Sequence, residues 1–356
     1  MRRYISVLLA VLIAVSAFAP AVAGQSDDGG ESTVECEFPL EMTDATGETI
    51  TLEEAPESVV ALGASDAQTM FEIGAEDRLV GMPDNPATSG LDIGDRTAVT
   101  DNYQLVHERV IDLDPDLVLA ANATTTREDV DQLREAGLTV YYFDDAESLD
   151  DVRENVRTTG KLTGECTGAE ETVDWMNEQL EIVERTLEET DRPLAYYEMG
   201  NGYTAGSGTF IDEVLTTAGV ENLAAEVGIQ SYDQINPETV VDENPDWIIY
   251  PDDRDEPPIH ESIQATTAYQ NDNVLAVNAN HMSQPAPNLV YAVIDIVETV
   301  HPEAYAEASA ELDATSEDAN ESDDEEQSTE SPIPGFGVSA ALVALLAATA
   351  FVARRR

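Results

Sequence analysis

Apolar residues fall along this chain in two alternating rhythms. Short unbroken runs occur at Val59–Gly63, Leu79–Gly81, Leu117–Ala120, Thr139–Phe143, Leu194–Tyr197, Trp247–Tyr250 and Val274–Val277. Stripes at three- and four-residue steps lie between them. Ala67, Met70, Phe71 and Ile73 form one stripe, ended by Gly74; Glu128–Ala136 and Phe210–Ala218 form others, ended by Gly137 and Gly219. Asp151–Lys161 and Leu289–Val300 complete the series, and Asn278–Pro287 reads as a loop. Short apolar runs alternating with amphipathic stripes predict strands that alternate with helices, hence an α/β fold whose parallel sheets are covered on both faces. The longest stripe is Val173, Met176, Leu180, Val183 and Leu187, within Thr167–Pro193. Thr167 and Glu170 have the spacing of a capping box, and Pro193 sets the far limit.

The pattern restarts after that helix. Glu108-Arg109-Val110-Ile111-Asp112-Leu113-Asp114-Pro115 leads into the run at Asp116–Ala120. Glu238-Thr239-Val240-Val241-Asp242-Glu243-Asn244-Pro245 leads at the same spacing into Asp246–Tyr250. An internal repeat of this kind predicts two equivalent lobes, each with a helix that starts near a glutamate and ends at an Asp-Pro or Asn-Pro corner. The expected architecture is two Rossmann-like lobes, residues 36–166 and 193–306, joined by one long rigid helix over 167–192. The cleft between them is where a small ligand is expected.

Charge sharpens the picture. The 356 residues include 16 basic and 73 acidic ones, a formal charge of -57, with a hydrophobic fraction of 42%. That fraction is ordinary for a folded protein, and the acid excess argues against nucleic acid as a partner. It suits a protein that works in molar salt, where the screening length is about 3 Å and surface carboxylates repel one another little.

The two ends read as targeting segments. Arg2-Arg3, the apolar run Ile5–Phe18 and Ala21-Val22-Ala23 form a secretory signal over 1–24, followed by a polar leader over 25–35. Residues 307–331 are rich in Asp, Glu, Ser and Thr, as in a solvated stalk, and carry the glycosylation sequon Asn320-Glu321-Ser322. A second sequon, Asn122-Ala123-Thr124, falls at a cleft-side strand end, an awkward place for a glycan. Pro334-Gly335-Phe336, the apolar run Val338–Ala353 and Arg354-Arg355-Arg356 close the chain. Segment 332–356 resembles the PGF-CTERM sorting signal of archaea. That resemblance implies an archaeosortase that exchanges the tail for a lipid; a plain transmembrane anchor is the alternative reading. Either way the folded part faces outward from the cell. Export also makes a bond between Cys36 and Cys166 the expected state of the two cysteines, with unpaired buried thiols as the alternative.

Motifs for catalysis are missing. The chain has no CxxC, HExxH or GxSxG, and His107, His260, His281 and His301 show no ligand spacing. The loop Gly200–Gly208 lacks both the dinucleotide spacing and the lysine of a phosphate loop. No enzyme activity, metal site or resident cofactor is expected on these grounds.

GASDAQTMFEIGAEDRLVG, ERVIDLDPDLVLA, REAGLTVYYFD, YTAGSGTFIDEVLTTAGVENL and NPETVVDENPDWII occur in that order. Together they resemble the helical-backbone (class III) substrate-binding proteins of ABC importers for cobalamin, ferric siderophores or haem, over about Phe38–Ala306. The resemblance implies an exported binder that delivers its ligand to an ABC permease with little lobe closure. Glu108 and Glu238 fall where the family docks on permease arginines. Tyr103, Tyr203, Tyr232, Asn280 and His281 fall on loops that line the family's ligand site. Asn102-Tyr103 stands where several members have a tryptophan, so ligand identity stays open among a corrinoid, haem and a ferric siderophore. No basic cluster marks these loops, which disfavours a polyanionic siderophore. A cell-surface enzyme on the same scaffold and a non-transport surface protein are the rival readings.

Overall fold

A computed structural model describes residues 36–312. The signal, leader and sorting-tail segments, with Pro334, Gly335, Phe336 and the Asn320 sequon, lie outside the described residues. The first lobe holds a five-stranded parallel sheet ordered Thr97–Ala98, Leu79–Met82, Val59–Ala61, Leu117–Ala120, Val140–Tyr142. The second holds a four-stranded parallel sheet ordered Glu221–Asn222, Leu194–Tyr197, Trp247–Pro251, Val274–Val277.

Alternation along the strands explains why they read as unbroken apolar runs. Val59, Ala61, Leu117, Leu119 and Tyr141 enter a core that is continuous through both lobes, together with Ala195, Tyr197 and Ile249. Their neighbours Val60, Val118, Ala120, Val140 and Tyr142 fill a core belonging to the first lobe alone. Tyr196 and Ile248 do the same in the second lobe. Successive side chains point to opposite faces, and both faces are buried.

The linking helix, Cys166–Leu187, carries its stripe into the shared core through Val173, Met176 and Val183. It begins where the preceding helix, Leu149–Thr163, is stopped by Gly164 in the left-handed conformation at φ 83°. Gly168 lets it approach the first lobe. A Cβ there would lie 2.0 Å from the carbonyl oxygen of Ile73, and Thr172 Oγ1 donates to the Glu72 carbonyl nearby (3.0 Å). Cys36 is bonded to Cys166, with Cα atoms 5.5 Å apart, so the start of the folded region is fastened to the start of this helix.

The structure corrects several expectations. The linking helix ends at Leu187 and has no side-chain N-cap; Glu170 pairs with Arg157 Nε at 3.1 Å instead of closing a capping box. The pull of a guanidinium from the neighbouring helix outweighs a local cap. The loop 278–287 contains a short helix, Ala279–Ser283, whose first amides are capped by the Asn278 side chain. Residues 302–312 are helical and Ala308 is buried, so the acidic stalk cannot begin at 307. An antiparallel hairpin, Leu40–Thr43 with Thr49–Leu52, precedes the first sheet, in a stretch where no unbroken apolar run announces it. No helix among the described residues is long and apolar enough to cross a membrane.

Candidate functional site

The sequence repeat is a structural repeat. Helices His107–Leu113 and Pro237–Glu243 each have seven residues and each end in a left-handed residue, Asp114 at φ 45° and Asn244 at φ 48°. The following prolines, Pro115 and Pro245, disfavour a right-handed helical residue before them, and Asp and Asn tolerate the left-handed one best after glycine. Asp116 and Asp246 then tie each corner to the neighbouring strand. Asp116 Oδ2 accepts from the Glu57 and Ser58 amides and from Ser58 Oγ, at 2.8–3.0 Å. Asp246 Oδ2 accepts from the Leu194 amide at 3.1 Å. Glu108 and Glu238 both lie exposed in the first turn of these helices, where the helix dipole favours a carboxylate.

An antiparallel ribbon precedes each of the two helices. In the first lobe it is Thr100–Asp101 with Gln104–Leu105, and Tyr103 stands at its tip. In the second it is Tyr203–Ala205 with Tyr232–Gln234. Tyr203 pairs with Gln234 and Ala205 with Tyr232, so the two tyrosines occupy diagonal positions on one face. Tyr103, Tyr203 and Tyr232 are 66%, 47% and 50% exposed. Among the described residues they make up three of the five exposed large hydrophobic side chains, with Tyr269 and Tyr291.

Asn280 and His281 lie on the short helix Ala279–Ser283, where the lobes touch. Asn280 Nδ2 donates across to the Pro86 carbonyl (3.1 Å), and Gln284 Nε2 to the Ala87 carbonyl (2.8 Å). Asn85, just before them, donates from its side chain to the Asn102 carbonyl (3.1 Å), at the hairpin tip that bears Tyr103. The first-lobe hairpin and the second-lobe helix are thus linked through one turn, 86–88. Ring contacts in this region join His281 to Tyr291 (5.6 Å) and Tyr291 to Trp175 (5.1 Å). Burial pushes His281 below the ordinary histidine value, against the pull of Asp295, Asp252 and Glu72. Its Nδ1 is enclosed without a hydrogen-bond partner. The other histidines serve local structure: His107 faces Asp129 at 2.9 Å, His260 caps the Ser262 amide and His301 Nε2 lies 3.3 Å from the Gly219 carbonyl. Among the described residues no group of three or more His, Cys, Asp and Glu is placed to hold a metal ion.

Two buried carboxylates, Asp66 in the first turn of the helix Ala64–Glu72 and Glu198 just after the strand Leu194–Tyr197, are not singled out by the sequence. Asp66 is 7% exposed, and its Oδ2 accepts from the Gly63 and Ala121 amides, both at 2.9 Å. Burial raises its pKa to about 6, opposed by those two amides. Glu198, 1% exposed, accepts from the Gly200 amide (2.8 Å), the Gly202 amide (3.0 Å) and the Tyr196 hydroxyl. Its Oε1 thus takes two backbone amides of the glycine-rich loop. A carboxylate at a strand end just before Gly-x-Gly is the available signal.

Known proteins share this frame. Residues 59–281 match the family described as periplasmic binding protein, and residues 333–356 match the PGF-CTERM motif. A "Cobalamin-binding protein" of Halobacterium salinarum is 36% identical over 373 residues, covering 99% of this chain and all of that one. An "Uncharacterized ABC transporter substrate-binding lipoprotein YvrC" of Bacillus subtilis is 26% identical, covering 80% of this chain and 92% of its own. Among solved structures, the vitamin B12 binding protein BtuF of Vibrio cholerae superposes with a TM-score of 0.59 at 20% identity, covering 71% of this chain and 98% of that one. The haem-binding protein HmuT superposes at 0.62 with 22% identity, covering 76% and 93%. These likenesses carry the two-lobed fold. With the family match spanning the first strand of one lobe to the lobe-junction helix of the other, the chain belongs to the periplasmic binding protein family.

Proposed function

We propose that this chain is the extracellular solute-binding protein of an ABC importer, that it takes a cobalamin-like corrinoid between its lobes, and that it presents the ligand to a permease. The single observation that carries the reading is the set of three exposed tyrosines, one on the first-lobe ribbon and two on the second-lobe ribbon. Exposed aromatic rings on ribbons of both lobes suit a large, flat, partly apolar ligand, each contact contributing about 0.5–1.5 kcal/mol beyond area burial. The full-length relative named for cobalamin binding supports the same ligand class. Asn280 and His281 complete the lining at the junction. Glu108 and Glu238, exposed at equivalent points of the repeat, are the docking pair for permease arginines. The C-terminal motif supports a surface tether made by an archaeosortase. A resident cofactor and a catalytic role have no part in this reading.

The test is a titration of the protein in molar salt, followed through Trp175 and Trp247, with cyanocobalamin, haem and a ferric hydroxamate in turn. Saturable one-to-one binding of cyanocobalamin is the expected result. Haem binding in its place keeps the importer and changes the cargo, with the half-buried imidazole of His281 as the group to examine. Failure of all three with folded protein sinks the ligand class. E108Q with E238Q is expected to leave ligand affinity unchanged and to slow uptake, more so at lower salt, since exposed ion pairs are worth about 0.2–1 kcal/mol and are screened.

A further inference from the structure

We infer that Glu198 is a positioning residue for ligand binding: its buried carboxylate holds the turn Gly200–Tyr203 in the shape that presents the Tyr203 ring. This rests on the reading of Tyr203 as a ligand contact. The turn is closed by the Tyr203 amide donating to the Gly200 carbonyl (3.0 Å) and by the Met199 amide donating to the Tyr203 carbonyl (2.8 Å). Inside it, Gly200, Asn201 and Gly202 all have positive φ, at 115°, 57° and 75°. Three such residues in a row are not a conformation that a chain holds without outside bonds, and Gly200 lies where only glycine is at ease. A side chain at Gly200 would also meet Arg254, since a Cβ would come within 2.8 Å of Nη1.

The outside bonds come from Glu198. Its Oε1 collects the two inward amides, of Gly200 and Gly202, and its Oε2 takes the Tyr196 hydroxyl. The Glu198 amide is itself fixed to the sheet, donating to the Ile249 carbonyl at 3.0 Å. The carboxylate therefore relays the position of the central sheet to the ligand loop. The far side of the turn is tied to the other ribbon strand: the Ile235 amide donates to the Gly202 carbonyl (2.9 Å) and Gln234 Nε2 to the Asn201 carbonyl (3.1 Å). An open cleft of about 560 Å³ borders the turn, walled by Tyr196, Glu198, Gly202, Ile235, Pro237 and Arg254 among others, so the turn is not packed on that side by neighbouring side chains. Burying a carboxylate is costly unless charge-assisted hydrogen bonds repay the loss of water, and the three donors do so together only while the turn keeps this shape.

The experiment has a ligand-free and a ligand-bound part, on the full folded protein in molar salt. Amide exchange is measured first. Gly200 and Gly202 are expected to exchange at least tenfold faster in E198Q than in the wild type, with sheet amides unchanged; equal exchange overturns the inference. Y196F, which removes one donor of the three, replaces E198Q if that variant does not fold, with a smaller shift in the same direction expected. Cyanocobalamin affinity is then measured in wild type, Y203A, E198Q and the double variant. Y203A is expected to weaken binding about tenfold and E198Q several-fold, with the double variant no weaker than Y203A alone. A double variant that multiplies the two losses means that Glu198 acts apart from Tyr203, and the inference falls. Faster amide exchange in E198Q together with no effect of Y203A leaves the latch standing and removes Tyr203 from the ligand site, so the two failures are told apart.

Discussion

The two lobes share a frame and differ in what they mount on it. Each frame runs ribbon, short helix, left-handed corner, Pro-Asp turn and central strand, at matching positions of the repeat. The first-lobe ribbon is local: two strands of two residues with Asn102 and Tyr103 between them, Asn102 at φ 59°. The second is non-local, with the helices Phe210–Thr217 and Leu223–Glu226 inserted between its strands. The first is steadied by Asn85 and by Arg109 Nη1, which donates to the Ala98 and Thr100 carbonyls at 2.9 and 2.7 Å. The second stands over a buried carboxylate. Sheet packing sets the frame, and side-chain bonds to loops set the proposed binding surface, so equivalence in the first does not extend to the second.

The largest effect tests whether the lobes form one unit at all. Only the first lobe is closed covalently onto the linking helix, through a sequence separation of 130. Yet the shared core runs from Val59 through Met176 to Val297. Replacing Cys36 and Cys166 by serine is expected to lower stability by about 2–5 kcal/mol, in a single denaturant transition. Two separated transitions would break the picture of one core. Next comes Asp66, a buried carboxylate of the first lobe. Its folded value of about 6 lies above its unfolded value of 3.8, so its contribution is fully present below the unfolded value and lost as pH rises through 6. The stability of the wild type relative to D66N is expected to improve from pH 7 to pH 4 by about 2 kcal/mol, since each tenfold difference in proton affinity between the folded and unfolded chain is worth about 1.4 kcal/mol and the unfolded carboxyl is not yet fully protonated at pH 4. A pH-independent difference would show that Asp66 is solvated. The tyrosines come third. Y203A or Y232A is expected to weaken cyanocobalamin binding about tenfold and Y103A about threefold, because a tip side chain must be ordered on binding; equal losses would erase the distinction between local and anchored ribbons.

Legibility in the sequence follows the same divide. Strand Leu194–Tyr197 and helix Leu289–Val300 are legible to the residue, because burial on both faces or on one stripe writes itself as hydrophobic pattern; Val274–Val277 is legible too, by composition, although only Val277 is buried. The repeat is legible because Pro and the left-handed Asp or Asn before it are backbone requirements. The ribbons are not, since two- and three-residue strands carry no period. The proposed site residues are legible only as positions matching a family, and what holds them is not legible at all. Glu198 is one among 73 acidic residues, and its burial depends on Gly200 and Gly202 folding back over it. Glu170 shows the opposite failure: a correct local spacing for a cap, overruled by Arg157 on a helix that sequence distance hides.

The smallest effect is the cleanest comparison, because the repeat supplies its own control. Asp116 and Asp246 occupy equivalent corners and both are exposed. Asp116 gathers three donors from Glu57 and Ser58, the Ser58 hydroxyl first among the causes that hold its pKa below the ordinary carboxylate value, with burial opposing. Asp246 accepts from the single amide of Leu194. Exposure discounts both, so D116A is expected to cost about 1 kcal/mol and D246A a few tenths. The pH signatures should differ as well. A depressed folded value means that the Asp116 contribution is present above the unfolded value and lost as pH falls through the folded one. The gap between wild type and D116A, measured by denaturant unfolding, should therefore close in acid. Equal costs at the two corners would mean that the Pro-Asp turn itself, and not the bonds its aspartate collects, holds each helix to its sheet.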